Sequence, residues 1–246
     1  MLNKLYDSVL ALMYPQPCAV CGRRSVERRA DLPACARCWA ATDIFNGREN
    51  LCWKCGLPTP GAANRSSGRR EDVRCRRCEH ESFTAARAIG AYGGALRATV
   101  LALKREPHLS QRLTHLLCES QRRPPLDVAT CIIPVPLHAE RLRERGFNQA
   151  EVLARALAAS TMLPLDEASV RRIKQSAKHR AGMDGVERRQ SVLGAFSVER
   201  PRLVAGHRVL LVDDVFTTGA TVSACAQTLT AAGALDVFVL TVARAT

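Results

Sequence analysis

The sequence predicts an α/β chain in two parts: a cysteine-rich metal-binding module over residues 1–82 and a parallel-sheet domain over residues 83–246. Three observations predict it. Eight of the eleven cysteines fall in CxxC pairs confined to the first third. After residue 83, short apolar runs alternate with segments of helical periodicity, the pattern of strands joined by crossover helices. The run Val209 to Val222, VLLVDDVFTTGATV, reads as a buried strand, an adjacent carboxylate pair and a Thr/Gly turn opening a helix.

Residues 2 to 13, LNKLYDSVLALM, place Leu2, Leu5, Val9, Leu10 and Met13 at helical spacing. Asp7 interrupts the apolar run and only Lys4 supplies a basic flank, so the stretch reads as a short amphipathic helix rather than an export signal. Nowhere do 18 apolar residues run together, so no membrane insertion is expected, and a cytoplasmic location is.

The pairs Cys18/Cys21, Cys35/Cys38, Cys52/Cys55 and Cys75/Cys78 each bring two thiolates to one ion, and two pairs complete a tetrahedral structural site. Disulfides are the alternative use of such a pattern, but they suit small secreted domains. Two structural zinc ions are therefore expected. Sequential pairing of the CxxC units gives two stacked ribbons; an interleaved pairing also satisfies the spacing. His80 reads as a surface histidine, and Cys118, Cys131 and Cys225, each alone among apolar residues, read as core thiols.

The net charge of +13 invites a nucleic-acid partner. Residues 1–80 hold 14 Lys/Arg against 8 Asp/Glu, and residues 81–246 hold 22 against 15. A zinc ion bound by four thiolates carries two net negative charges, so two loaded sites bring the first part from +6 to about +2. Most of the positive charge then belongs to the second part. The Arg-rich segment Gly61 to Arg77, containing NRSSGRR, reads equally as a solvated loop or as a ribbon loop touching nucleic-acid phosphates. Aromatic residues make up only 4% of the chain, which weakens a strand groove built on base stacking.

In the second part, Tyr92 to Arg105 starts a helix with apolar positions Leu96, Val100 and Leu103. Lys104 at its end either reaches phosphates or simply complements the helix dipole. Cys131 to Gln149, CIIPVPLHAERLRERGFNQ, reads as a buried strand followed by two prolines and a polar loop from His138 to Phe147. Asn148 caps the next helix, with Glu151 at the capping-box position and Ala150, Leu153, Ala154 and Leu157 on its apolar face. Arg141, Arg143 and Arg145 either neutralise a diphosphate, for which guanidinium forks are suited, or pair with Glu140 and Glu144. From Arg171 to Ser191 there are seven Lys/Arg and two Asp/Glu, with Gly182 and Gly185 as hinges. That composition suits an active-site lid, with Lys178, Arg180, Arg188 and Arg189 as candidates to stabilise negative charge on a ligand.

The stretch at Val209 to Val222 carries the most specific chemistry. In an open parallel sheet, ligands collect beyond the carboxyl ends of the strands, where Asp213 and Asp214 emerge. Thr217, Thr218, Gly219, Ala220 and Thr221 form a turn whose N–H groups, at a helix N-terminus, converge on an anion. Neither a Walker A loop nor a GxGxxG fingerprint is present. The segment resembles the phosphoribosyl-diphosphate motif of the type I phosphoribosyltransferases. That resemblance implies that Asp213 and Asp214 hold the ribose hydroxyls and that the 217–221 turn holds the 5-phosphate, with Mg2+ bound alongside the ligand.

Taken with the CxxC pairs, IIPVPLHAERLRERGFNQA and ERRQSVLGAF, the chain resembles the ComF competence proteins, which join a zinc-ribbon module to a phosphoribosyltransferase domain. The resemblance spans almost the whole chain. It implies a Rossmann-like domain that binds phosphoribosyl diphosphate, either to transfer the phosphoribose to an acceptor or to sense it as a non-catalytic DNA- or protein-binding module, and a cytoplasmic role in handling transforming single-stranded DNA. Single-stranded DNA and other competence proteins are its implied partners. Two departures stand out: Arg105, Glu106 and Pro107 replace a glycine usual after the first helix, and AGMDG replaces a GLS-type lid start.

Overall fold

The computed structural model describes residues 13–59, 73–174 and 192–245. Residues 2–12 of the expected first helix, residues 61–72 of the Arg-rich loop and the candidates Lys178, Arg180, Arg188 and Arg189 lie outside them. The described strands are β1 (Ala85–Ala91), β2 (Cys131–Pro134), β3 (Val170–Arg172), β4 (Phe196–Val198), β5 (Arg208–Phe216) and β6 (Asp236–Arg244). Strands β1, β6, β5 and β2, in that spatial order, form an all-parallel sheet, while β3 and β4 pair antiparallel beside it.

Side-chain alternation sends the strands' apolar residues to two faces. Leu210 and Val212 of β5, with Ile132, Phe238 and Leu240, pack on the face covered by α2 (Gly94–Leu103), α3 (Gln111–Gln121) and α5 (Gln149–Thr161). Val209 and Leu211, with Ile133, Val237 and Val239, face α6 (Ala220–Ala231). All-parallel sheets are covered on both faces, which is why Val209 to Val212 form an unbroken apolar run.

The cysteine module is built into this arrangement. A five-residue helix, α1 (Ala36–Ala40), carries Trp39 into the first face together with Cys18, Val26 and Cys35. Cys52, Cys55 and Cys78 join the opposite face beside Phe83 and Ala86. Between the two, the chain crosses the outer edge of β1. Phe45 N–H donates to Ile89 O at 2.8 Å, Ala91 N–H to Asp43 O at 3.0 Å and Ala86 N–H to Lys54 O at 2.6 Å. These bonds occupy an edge that would otherwise be open to another chain.

The sequence expectations for α2 and α5 hold in detail. Leu96, Val100 and Leu103 are buried on α2. On α5, Asn148 Oδ1 accepts from Ala150 N–H at 3.1 Å, and Ala150, Leu153, Ala154 and Leu157 are buried. Two expectations are corrected. The polar loop from His138 to Phe147 is largely a helix, α4 (Ala139–Arg145), started by His138 Nδ1 accepting from Glu140 N–H at 3.4 Å and ended by Gly146 at φ +80°. The strand expected to stop at Val212 runs on to Phe216, because β6 continues beside it and pairs Asp213 with Thr241 and Phe216 with Arg244. Among the described residues no helix is long and apolar enough to cross a membrane.

Candidate functional site

Two constellations stand out, a pair of cysteine clusters and a charged cleft. The cysteines group sequentially as Cys18, Cys21, Cys35, Cys38 and as Cys52, Cys55, Cys75, Cys78, with the sulfur atoms of each cluster within 4.8 Å of one another. Backbone amides orient them: Cys35 N–H donates to Cys18 Sγ at 3.3 Å and Cys75 N–H to Cys52 Sγ at 3.2 Å. The hydrogen bond between Cys52 and Cys55 pulls the Cys52 thiol down and pushes the Cys55 thiol up. Four sulfur donors closed around one point form the structural zinc donor set, and both clusters fit zinc. His80 is exposed and belongs to neither. Cys118, Cys131 and Cys225 are buried core thiols, with Cys131 pushed up to about 11 by burial.

The cleft, about 240 Å³, opens where β2 stops and β5 continues. Pro134 is the last β2 residue paired to β5, at Val212, so Asp213 and Asp214 lie beyond the end of their neighbour. Both carboxylates line the cleft, as do Thr217 and Thr221. Asp214 N–H donates to Asp213 Oδ1 at 2.9 Å. Burial, then repulsion from Asp214, pushes Asp213 up to about 8 against the opposing pull of Arg172 and Lys104.

The turn below the cleft is held by its glycine. Gly219 has φ +84°, and a Cβ there would lie 2.7 Å from Phe216 Cζ. Thr218 Oγ1 accepts from Ala220 N–H at 3.4 Å, so this hydroxyl caps its own turn. Gly219 and Ala220 are buried, and only Thr217 and Thr221 of the 217–221 set line the cleft.

Basic groups line the other walls. Arg141 and Arg145, one helical turn apart on α4, both face the cleft, while Arg143 is exposed on another side of that helix. The helix therefore separates three arginines that a loop reading treats alike. Lys104, the C-cap of α2, places Nζ 3.6 Å from Asp214 Oδ2. Arg172 enters from β3, with its guanidinium 5.4 Å from the Phe196 ring centroid. Burial and then Arg141 lower its pKa, and Asp213 opposes them.

Sequence reasoning did not single out Arg172 or Gln149. The signal for Arg172 is alternation on β3, where buried Val170 shares its face and exposed Arg171 does not. Gln149 is 3% exposed and lines the cleft, and its Nε2 has no hydrogen-bond partner among the described residues. A buried amide donor left open in a polar cleft calls for an acceptor from a ligand or water.

Comparison with known proteins follows the same division. The double zinc ribbon domain family matches residues 9–79. Competence protein F of Haemophilus influenzae is 35% identical over 128 residues, 52% of this chain and 56% of that protein. The DNA utilization protein YhgH of Salmonella typhimurium is 32% identical over 215 residues, 84% of this chain and 89% of that protein. The chain belongs to the ComF competence-protein family. Among solved structures, this ComF-family chain aligns with the glutamine phosphoribosylpyrophosphate (PRPP) amidotransferase from B. subtilis complexed with ADP and GMP. That alignment has 18% identity and a TM-score of 0.35, and it covers 60% of this chain and 26% of that one.

Proposed function

We propose that this ComF-family chain binds phosphoribosyl diphosphate with Mg2+ in the cleft at the end of β5 and transfers its phosphoribose to an acceptor nitrogen. The observation that carries the reading is one cleft shared by Asp213, Asp214, Thr217, Thr221 and four cationic side chains. The carboxylates accept from the ribose hydroxyls. Thr217, Thr221 and the N–H groups opening α6 donate to the 5-phosphate. Arg141, Arg145, Lys104 and Arg172 balance the diphosphate, and the open amide of Gln149 donates to one of its oxygens.

Two carboxylates without a third ligand fit Mg2+, which completes its shell with water and substrate phosphates rather than an all-protein cage. The ion, when bound, supplies charge neutralisation on the diphosphate. Asp213 must ionise to serve it, so ligand binding releases a proton and tightens as pH rises towards about 8. In the transfer, the acceptor lone pair forms a bond to C1 as the C1–O bond breaks. Diphosphate leaves with the electron pair, and the acceptor's proton passes to solvent. Positioning and charge stabilisation suffice for such a reaction.

The relatives named for competence and DNA utilization, together with the net charge of +13, support a cytoplasmic role in DNA uptake with single-stranded DNA as a partner. The test of the site is calorimetry with phosphoribosyl diphosphate and Mg2+. The Asp213→Asn/Asp214→Asn double variant should lose about 100-fold or more in affinity while keeping its fold, since each lost charged hydrogen bond costs about 1.5 to 3 kcal/mol. Unchanged affinity overturns the assignment. Diphosphate release in the presence of a panel of bases tests the transfer itself.

A further inference from the structure

Arg244, the last residue of β6, is a buried guanidinium with a single kind of neighbour to balance it. It is 6% exposed. Its Nη1 donates to Cys55 O, and Nη2 donates to Cys55 Sγ at 3.5 Å. Nε is buried without a hydrogen-bond partner, and no carboxylate pairs with Arg244 among the described residues. A buried cation needs a counter-charge. The second cluster is what the guanidinium faces, since both of its bonded nitrogens reach Cys55.

The same guanidinium supports the turn beneath the charged cleft. Register between β5 and β6 sets Arg244 opposite Phe216, with its guanidinium carbon 4.3 Å from the ring centroid. The Phe216 ring is also fixed edge-on by Phe83, with centroids 5.8 Å apart at 82°. Its far atoms lie against Gly219, where an added Cβ would come within 2.7 Å of Cζ. An unbroken line of contacts therefore runs from Cys55 through Arg244 and Phe216 to Gly219. The first cluster has a different electrostatic neighbourhood: Arg112 stacks on Trp39 at 4.8 Å, and Asp31 already balances it at 3.1 Å.

We infer that Arg244 is a positioning residue coupling metal occupancy of the Cys52/Cys55/Cys75/Cys78 cluster to the shape of the 217–221 turn, so that metal and sugar-phosphate ligand stabilise one another. Four thiolates on a divalent ion leave two negative charges beside Arg244. When the ion leaves, nothing fixes the four sulfurs, Cys55 Sγ among them, at one point beside Arg244. Arg244 then loses the fixed partner of its two bonded nitrogens. It moves towards water and withdraws support from Phe216 and the turn. Coupling of this kind is reciprocal, so ligand in the cleft must also hold metal in the second cluster.

The inference rests on phosphoribosyl diphosphate as the cleft ligand, and the experiment separates the two claims. The full zinc-loaded chain is challenged with a chelator, with and without phosphoribosyl diphosphate and Mg2+, and maleimide alkylation of each cysteine is followed by mass spectrometry. Ligand should slow alkylation of Cys52, Cys55, Cys75 and Cys78 several-fold and leave Cys18, Cys21, Cys35 and Cys38 unchanged. Arg244→Lys keeps the charge but loses the stacked fork. It should speed alkylation of the second set alone and weaken ligand binding about tenfold. Arg87→Lys is the control, because the Arg87 guanidinium lies over Trp53, at 5.0 Å, and not over Phe216. It should leave ligand affinity unchanged. If the wild-type chain binds the ligand but alkylation of the second set ignores it, or Arg244→Lys binds as the wild type does, the coupling is overturned and the ligand assignment stands. If the wild-type chain does not bind, the ligand assignment is overturned and the coupling falls with it, whatever Arg244→Lys does to the cysteines.

Discussion

Gly219→Ala tests whether the turn is built as described. At φ +84° any L-residue carries strain of roughly 1 to 2 kcal/mol. The new methyl would also sit 2.7 Å from Cζ and 3.2 Å from Cε1 of Phe216. That ring has little room to give way, because Phe83 meets it edge-on and Arg244 lies over its face. Forcing it off its rotamer adds about 0.5 to 1.5 kcal/mol, for a total loss of about 1.5 to 3.5 kcal/mol. Gly146→Ala is the internal comparison, since Gly146 has a similar φ of +80° but nothing within 4 Å of the added carbon. It should lose only the backbone part, about 1 to 2 kcal/mol. Urea unfolding of both variants at one pH measures the difference. Equal losses would refute the claim that Phe216 buttresses the turn, and a loss below about 0.5 kcal/mol at Gly219 would refute the left-handed turn itself.

Metal analysis of the purified chain should give close to two zinc ions, released together with protons when a chelator is added at neutral pH; recovery of disulfides instead would contradict the clusters. The contribution of Asp213 to stability should fall as pH rises from about 4 to about 8. The unfolded chain gives up the Asp213 proton near 3.8, the folded chain keeps it to about 8, and over that window the unfolded state binds fewer protons. Asp213→Asn should remove that part of the slope in urea midpoints taken at pH 5 and pH 8, and an identical slope would show that Asp213 is not desolvated. Binding of single-stranded DNA should weaken steeply with salt, with log affinity falling linearly in log salt concentration. A flat response in a filter-binding or anisotropy titration would exclude an electrostatic contact.

What was legible in the sequence follows from what local pattern can encode. The buried β5 run, the Asn148 cap and the apolar face of α5 depend on near neighbours, and all three were readable. The Asp213/Asp214 pair was readable too, because two carboxylates at the end of an apolar strand have few structural uses. The sequential grouping of cysteines was not, since CxxC spacing fixes pairs but only the folded chain decides which pairs meet. Helix α4 escaped because five of its seven residues are charged and Ala139 and Leu142 alone make no apolar stripe, and its limits come from His138 and Gly146. Arg172 escaped because three residues of β3 give alternation almost nothing to work on, and its value lies in facing Asp213 from a distant part of the chain.

The same reasoning bears on the two parts expected on either side of residue 83. A metal module tied on by a linker would bury its own small core and leave the sheet to its helices. Here Trp39 and Cys35 sit among Leu96, Leu113 and Leu210 on one face, and Cys52 and Cys55 sit with Phe83, Val209 and Leu211 on the other. The connection between the clusters hydrogen-bonds along the edge of β1. A parallel sheet needs cover on both sides, and residues before 83 take part in the cover of each face. Zinc bound at either cluster would thereby act on the stability of the sheet. The sheet in turn sets where β2 stops and β5 continues, which places Asp213 and Asp214 at the open end of the cleft. Perturbing either cluster should reach the carboxylate pair through the sheet, and the second cluster also has the shorter route through Arg244.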